Sequence, residues 1–286
     1  MPTVVHFIDV GQGNMTLLQL ADGTIMLYDC NVTGENESRV LKYLSGVFPQ
    51  RTVQTPRCID IFVNSHRDAD HMRGVKRIHG VFPIKKIWDS GVTGGNPDTS
   101  EYREYMKLRR EVSTVTVEAR KRWDFGQTRI RIMNSKNDGL PDDPNAQSIV
   151  MKVEHRHSTT GAVLGSVMLT GDSDALAWKR SIVTFYGESL RSSILLASHH
   201  GSTTFFDDPA DERNYYVEHI RKIAPEMAII SVGPNTHGHP DSKAIEFYER
   251  YTSGSNKGNK VFRTDEKGTM RLVLKEEGGW VLSRVT

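Results

Sequence analysis

The feature that most restricts this chain is a short, mostly apolar run, Ile59 to Val63, that passes directly into Asn64-Ser65-His66-Arg67-Asp68-Ala69-Asp70-His71. A run of that length and composition reads as a buried strand, and strands buried on both faces belong to sheets covered by other layers. Two histidines and two aspartates then fall within six residues. Imidazole nitrogens and carboxylate oxygens are the donors that Zn²⁺, Mn²⁺ or Fe²⁺ accept, and a strand-to-helix turn lets neighbouring side chains diverge towards two adjacent ions. The plainer alternative is a solvated turn in which an aspartate caps a helix and the histidines lie at the surface.

The same arrangement recurs. Val167-Met168-Leu169 leads into Thr170-Gly171-Asp172-Ser173-Asp174, and Leu195-Leu196-Ala197 into Ser198-His199-His200-Gly201-Ser202. Asp172 could cap a helix starting at Ala175, although Ser173 or Asp174 is better placed for that role. His199 and His200 could be one core histidine beside one exposed one, but a carboxylate and a histidine are what a dinuclear site still lacks after residues 66–71. Ile230-Ser231-Val232 runs into a Gly/Pro-punctuated loop holding His237 and His239, one of which is expected to face substrate. Asp9 and Asp29 each close a β-type run. A buried acid there can orient a ligand histidine, and Asp29 is the better candidate; an ordinary turn aspartate is the competing reading.

Between these clusters, β-type and helical runs alternate. Val4 to Val10, Met15 to Leu20 and Thr24 to Tyr28 read as a meander, Ser38 to Val47 as a helix capped by Ser38, and Ile84 to Trp88 as a strand. Helices are expected over Ser100 to Arg110, Ala175 to Tyr186, Asp211 to Ile223 and Ser242 to Tyr251. Strands are expected over Thr128 to Met133, Ile149 to Val153, Val163 to Leu169, Ser193 to Ala197 and Met227 to Val232, then near Val261, Met270 to Leu274 and Trp280 to Ser283. The class is α/β with many antiparallel strands. With 286 residues, 37% of them hydrophobic, a single domain spanning 1–286 is expected, and the Gly/Pro-rich stretches at 91–97 and 253–258 are short enough to be loops.

Lys and Arg number 37 against 35 Asp and Glu, so net charge alone does not mark a polyanion binder. Cys30 and Cys58 make no disulfide framework and read as small buried hydrophobes. Met1 to Asn14 shows no basic region followed by an apolar one, and no run reaches membrane-spanning length. A soluble, cytoplasmic protein without a membrane partner is expected.

His-x-Asp-x-Asp-His after a strand, followed in order by Thr-Gly-Asp, His-His-Gly-Ser and Gly-His-Pro, resembles the metallo-β-lactamase superfamily. More narrowly it is similar to the hydrolase domain of ComEC-type competence proteins, the DNA-uptake channels. Phe7 to Asn14, Asn145 to Ser148 and Arg263 to Thr269 extend the resemblance nearly end to end. It implies a four-layer αββα sandwich with two divalent ions, Zn or Mn, at one edge between the sheets. His66 and Asp68 would hold one ion, Asp70 and His71 the other, Asp172 would bridge them, and His199 would complete the shell of the second ion. Asp70, His200 and His239 form the expected catalytic set, with Asn145 and Ser148 as neighbours. The commoner superfamily motif has histidine at the position of Asp68, and a carboxylate there makes the site harder and more anionic, which favours Mn²⁺ beside Zn²⁺.

Such a site suits phosphodiesters, and the resemblance makes DNA the leading substrate. Lys107, Arg109, Arg110, Arg120, Lys121, Arg122, Arg129 and Arg131 concentrate positive charge in one stretch, as a phosphate-tracking groove requires and as a solvated basic face would equally show. A phosphodiesterase for a small nucleotide or a phosphorylcholine-type ester, and a non-catalytic regulatory metal-binding module, are the competing readings.

Overall fold

Alternation along the strands decides the layering. Met26 and Tyr28 of one strand point to one side while Ile25 and Leu27 point to the other, and all four are buried. A strand with both faces apolar must be covered twice. The computed structural model describes residues 1–49, 57–92, 94, 96–211, 213–254 and 260–285, and among these the chain forms two mixed sheets. The first runs, in spatial order, Trp280–Arg284, Met270–Leu274, Thr3–Phe7, Thr16–Gln19, Ile25–Tyr28, Ile61–Asn64, Lys86–Asp89 and Ser113–Thr116. The second runs Val261–Arg263, Met227–Ile230, Ile194–Leu196, Val163–Leu169, Val150–Arg156, Thr128–Asn134 and Arg122–Phe125.

Three apolar cores match the three interfaces of an αββα sandwich. Val5, Phe7, Val63, Met151, Leu169 and Ile229 belong to the core between the sheets. Leu27, Phe62 and Ile87 pack outward against Val40 and Leu44 of helix Glu37–Val47, Ile78 of Val75–Val81, and Tyr105 and Leu108 of Ser100–Glu111. Val150, Met168 and Leu195 pack against Trp178 and Ile182, Ile220 of Glu218–Ile223, and Phe247 and Tyr248 of Ser242–Tyr251. Each fully buried side chain of this kind contributes about 1.5–3 kcal/mol relative to exposure. The expected four-layer α/β architecture is the observed one.

Each sheet is antiparallel on one side and parallel on the other. Tyr28 pairs with Val63 and Val63 with Trp88 in parallel register, as do Met168 with Leu195 and Leu196 with Ile229. Parallel strands in register deliver their following turns to one rim, where open α/β sheets bind ligands. Asp29, Ser65 and Asp89 leave the first sheet at such ends, and Gly171, His199 and Ser231 the second.

Several local expectations change. The first helix is preceded by Asn36 rather than capped by Ser38. The helix expected over 211–223 is confined to Glu218–Ile223, because the Asp208 and Asp211 carboxylates accept from the backbone N–H groups of Ala210 and Arg213 and hold turns instead. Residue 212, parts of the loop at 91–97 and most of the loop at 253–258 lie outside the described residues. Residues 175–186 are helical throughout but carry a π-turn at Trp178–Ile182. Strands Ser113–Thr116 and Arg122–Phe125 had no apolar signature. Both cysteines are buried. Among the described residues no helix is long and apolar enough to cross a membrane.

Candidate metal centre

Two strand ends set the first half of the site. Asp29 follows Tyr28 with φ 59°, and its carboxylate is fully buried. It accepts from Ser65 N at 2.7 Å, Ser65 Oγ at 2.8 Å and Asn14 Nδ2 at 3.1 Å, and its Oδ2 lies 2.8 Å from His71 Nδ1. A carboxylate only accepts, so His71 Nδ1 carries the proton and its Nε2 is left with a lone pair. Ser65 Oγ gives its own proton to Asp29 and therefore accepts from His66 Nδ1, 2.9 Å away, which frees His66 Nε2 in the same way.

The second sheet supplies the facing half. A Cβ on Gly171 would lie 2.9 Å from Ser65 Cβ, so only glycine lets this turn approach and bring in Asp172. His199 and His200 both adopt the left-handed region, with φ 49° and 53°, a conformation rare for two consecutive residues with Cβ atoms and often found where function demands it. His200 Nδ1 lies 2.9 Å from the Ser231 carbonyl oxygen, which fixes the proton on Nδ1. His199 Nδ1 lies 3.1 Å from Thr204 Oγ1, whose proton goes to Ser202 Oγ.

Four imidazoles thus turn their Nε2 lone pairs inward upon carboxylates. His71 Nε2 is 3.1 Å from Asp172 Oδ1 and 3.3 Å from His200 Nε2, and His200 Nε2 is 3.1 Å from Asp70 Oδ2. Asp172 Oδ2 is 3.7 Å from His66 Nε2 and 3.6 Å from His199 Nε2. Asp68 Oδ2 reaches His66 Nε2 at 3.5 Å from the more exposed side. The atoms of His66, His71 and Asp172 form one group within 4.8 Å of one another, and those of Asp70, His71 and His200 a second. His66 Nε2 and Asp172 Oδ1 are buried without a hydrogen-bond partner. Acceptors converging in the protein interior repel unless a cation lies among them, and this donor set is the one divalent transition ions take.

With no cation among these acceptors a proton on Nε2 takes its place, and the titration tendencies follow the same crowding. Burial opposes the charged form of His71, yet Asp172, Asp29 and Asp70 outweigh it and hold the imidazole well above its ordinary range. His200 is raised similarly, against burial, by Asp172 and Asp70. Burial likewise disfavours ionised Asp70 and Asp172, but the surrounding histidines bring both carboxyls down. At His199 and His239 burial prevails and lowers them.

The resemblance gives the place beside Asp70 and His71 to His199, while the two histidines by themselves leave the ligand open; His200 stands there, 3.1 Å from Asp70 and 3.3 Å from His71, and His199 is the more exposed ring of the two. His239 lies beyond His199 with ring centroids 5.4 Å apart. The segment 145–149 is tied to the ligand turn by Ile149 N donating to the Ser65 carbonyl at 2.9 Å. The Ser148 hydroxyl donates to the Pro144 carbonyl, while Asn145 Oδ1 is buried without a partner.

The basic stretch does not gather into one face of free cations. Arg129 pairs with Asp124, Lys107 with Glu111, Lys121 with Glu118 and Arg131 with Glu154. Sequence reasoning passed over Arg67, which lies between two ligand candidates and whose Nη2 donates to Asp89 Oδ1 at 2.9 Å. Both residues are buried, and Tyr105 Oη also donates to that carboxylate. Asp89 closes strand Lys86–Asp89 as Asp29 follows its own, so the strand-end rule could have found it.

A four-layer αββα sandwich with a histidine–aspartate cluster at the rim between its sheets defines the class: this chain has the metallo-β-lactamase fold. It is 26% identical over 271 residues to the competence protein ComA of Neisseria gonorrhoeae, which covers 94% of this chain and 32% of that protein, so the chain spans about a third of its relative's length. Igni18, a metallo hydrolase from Ignicoccus hospitalis, superposes with a TM-score of 0.56 at 15% identity over 99% of this chain and 100% of its own. The metallo-β-lactamase fold protein YhfI of Bacillus subtilis does so with a TM-score of 0.52 at 13% identity, over 99% and 100%. At such identities the structural likeness establishes the fold, not the chemistry. No protein-family model matches the chain.

Proposed function

We propose that this chain is a metal-dependent hydrolase that cleaves phosphodiester bonds in DNA. The observation that carries the reading is the convergence of four oriented Nε2 atoms on Asp172 and Asp70 at a rim open on the His199 side. In this reading His66, Asp68, Asp172 and His199 would hold one divalent ion, and Asp70, His71 and His200, together with Asp172, a second. Bound there, such ions supply the Lewis acidity that makes water nucleophilic near neutral pH and offsets charge gathering on phosphate oxygens.

The chain's own residues do the rest. Asp29 and Ser65 keep His66 and His71 in the tautomer that presents Nε2, and the Ser231 carbonyl does this for His200. Asp68 makes the set more anionic, which favours Mn²⁺ alongside Zn²⁺. Hydrolysis forms a bond from water oxygen to phosphorus and breaks one ester P–O bond, with the leaving oxygen taking a proton. We assign to His239, on the open side, a hydrogen bond to the ester oxygens. Similarity to a competence protein supports DNA over other phosphodiesters.

The test is to strip the protein of metal, restore Mn²⁺, Zn²⁺ or Mg²⁺, and measure cleavage of single- and double-stranded DNA by wild type, Asp70→Ala and Asp172→Ala. Metal-dependent cleavage lost in both variants is the expected result. Intact DNA with turnover of a small chromogenic phosphodiester would redirect the substrate class, and silence on both would overturn the hydrolase reading.

A further inference from the structure

The loop that follows strand Met227–Ile230 carries two histidines, and the reading above uses only one. Asn235 makes this loop rigid. Its Nδ2 donates to the carbonyls of Gly233 and His239 at 2.8 and 2.7 Å, and its Oδ1 accepts from the backbone N–H groups of His237 and His239 at 3.0 and 3.1 Å. The loop is also fixed at both ends. A Cβ on Gly233 would come within 2.5 Å of Gly11 Cα, and one on Gly201, beside His200, within 2.7 Å of Pro240 Cβ. Asp241 N donates to the Gly201 carbonyl at 2.9 Å.

From this frame the rings step outward from the centre. His199 Nε2 is 3.6 Å from Asp172, the His239 ring is 5.4 Å from that of His199, and the His237 ring is 6.0 Å from that of His239 at an interplanar angle of 20°. His237 is exposed, and among the described residues no side-chain hydrogen bond or ion pair engages its imidazole. A solvent-facing aromatic ring carried on a braced backbone, two ring spacings from the candidate centre, offers a surface on which a flat ligand group can stack.

We propose that His237 forms the stacking wall of a nucleobase subsite, so that the substrate is a nucleotide ester whose base, one nucleoside from the scissile phosphate, lies against this ring. The inference rests on the phosphodiesterase reading and adds to it which part of the substrate, a base, this ring holds. Stacking on an aromatic plane is tolerant of base identity, so the subsite selects nucleotides without selecting sequence.

The test compares two esters with the same leaving group, thymidine 5′-(p-nitrophenyl) phosphate and methyl p-nitrophenyl phosphate, on the metal-loaded full chain. The measured quantity is the ratio of their kcat/KM values. Wild type should favour the nucleotide ester, His237→Ala should cut the ratio about tenfold, chiefly through KM, and His237→Phe should keep it. A ratio unchanged in His237→Ala, or a wild type with no preference for the nucleotide ester, overturns the subsite while leaving the hydrolase standing. A wild type that turns over neither ester overturns the subsite, and the hydrolase reading falls with it only if DNA also stays intact.

Discussion

Asp29 Oδ2 lies 2.8 Å from His71 Nδ1, with both side chains wholly excluded from solvent. This one carboxylate also receives Ser65, through which it governs His66. Replacing it by Asn puts an amide N–H₂ among donors that need acceptors. Asp29→Asn should weaken metal binding by about 10–100-fold, read by competition with a chromogenic chelator. Undiminished affinity in a folded variant would show that the tautomers are set by something else.

His200 and His199 should part company under substitution. His200→Ala removes the imidazole that meets both Asp70 and His71, and it should cost at least tenfold in metal retention. His199→Ala, on the open side, should leave the group of Asp70, His71 and His200 intact and lose less. Elemental analysis after dialysis measures both, and the reverse order would restore the assignment expected from sequence.

Breaking the Arg67–Asp89 pair should be costly. Asp89→Ala leaves a buried guanidinium without its carboxylate, for which about 3–5 kcal/mol of stability is the usual loss. Urea unfolding of the metal-free protein gives the number. A loss under 1 kcal/mol would mean that Arg67 finds water or Arg109 moves away.

His219 offers a pH signature separate from the metal centre. Burial among Phe205, Trp178 and Tyr216 lowers it to about 3 from an ordinary 6.5. The folded state favours the neutral ring, so its contribution to stability is complete above pH 6.5 and is lost as pH falls from there towards 3. His219→Phe should flatten the acid limb of the stability curve over that window. Thermal melts from pH 7 to 4 that show equal slopes for variant and wild type would refute this.

What the sequence disclosed and what it hid divide along physical lines. Met227–Ile230 and Ile61–Asn64 were legible because strands buried on both faces leave apolar runs, and the candidate site was legible because it sits at the ends of such runs. Strands Ser113–Thr116 and Arg122–Phe125 were hidden because they are half exposed and edge their sheets, where alternation fades. The choice between His199 and His200 was hidden because it depends on two successive positive φ angles, which no residue pattern announces for histidine. Asn14 stood in a quoted motif without a role, since its donation to Asp29 spans two strands.

The cluster draws His66, Asp70 and His71 from one sheet and Asp172, His199 and His200 from the other, so whatever cation fills it acts as a rivet through the rim. The gap between the layers is then a coordinate of the chemistry. Val63 and Leu169, three residues upstream of His66 and Asp172, set that gap by their bulk. Trimming either should detune ion affinity before it loosens the fold, which makes the oily interior between the sheets part of the ion site.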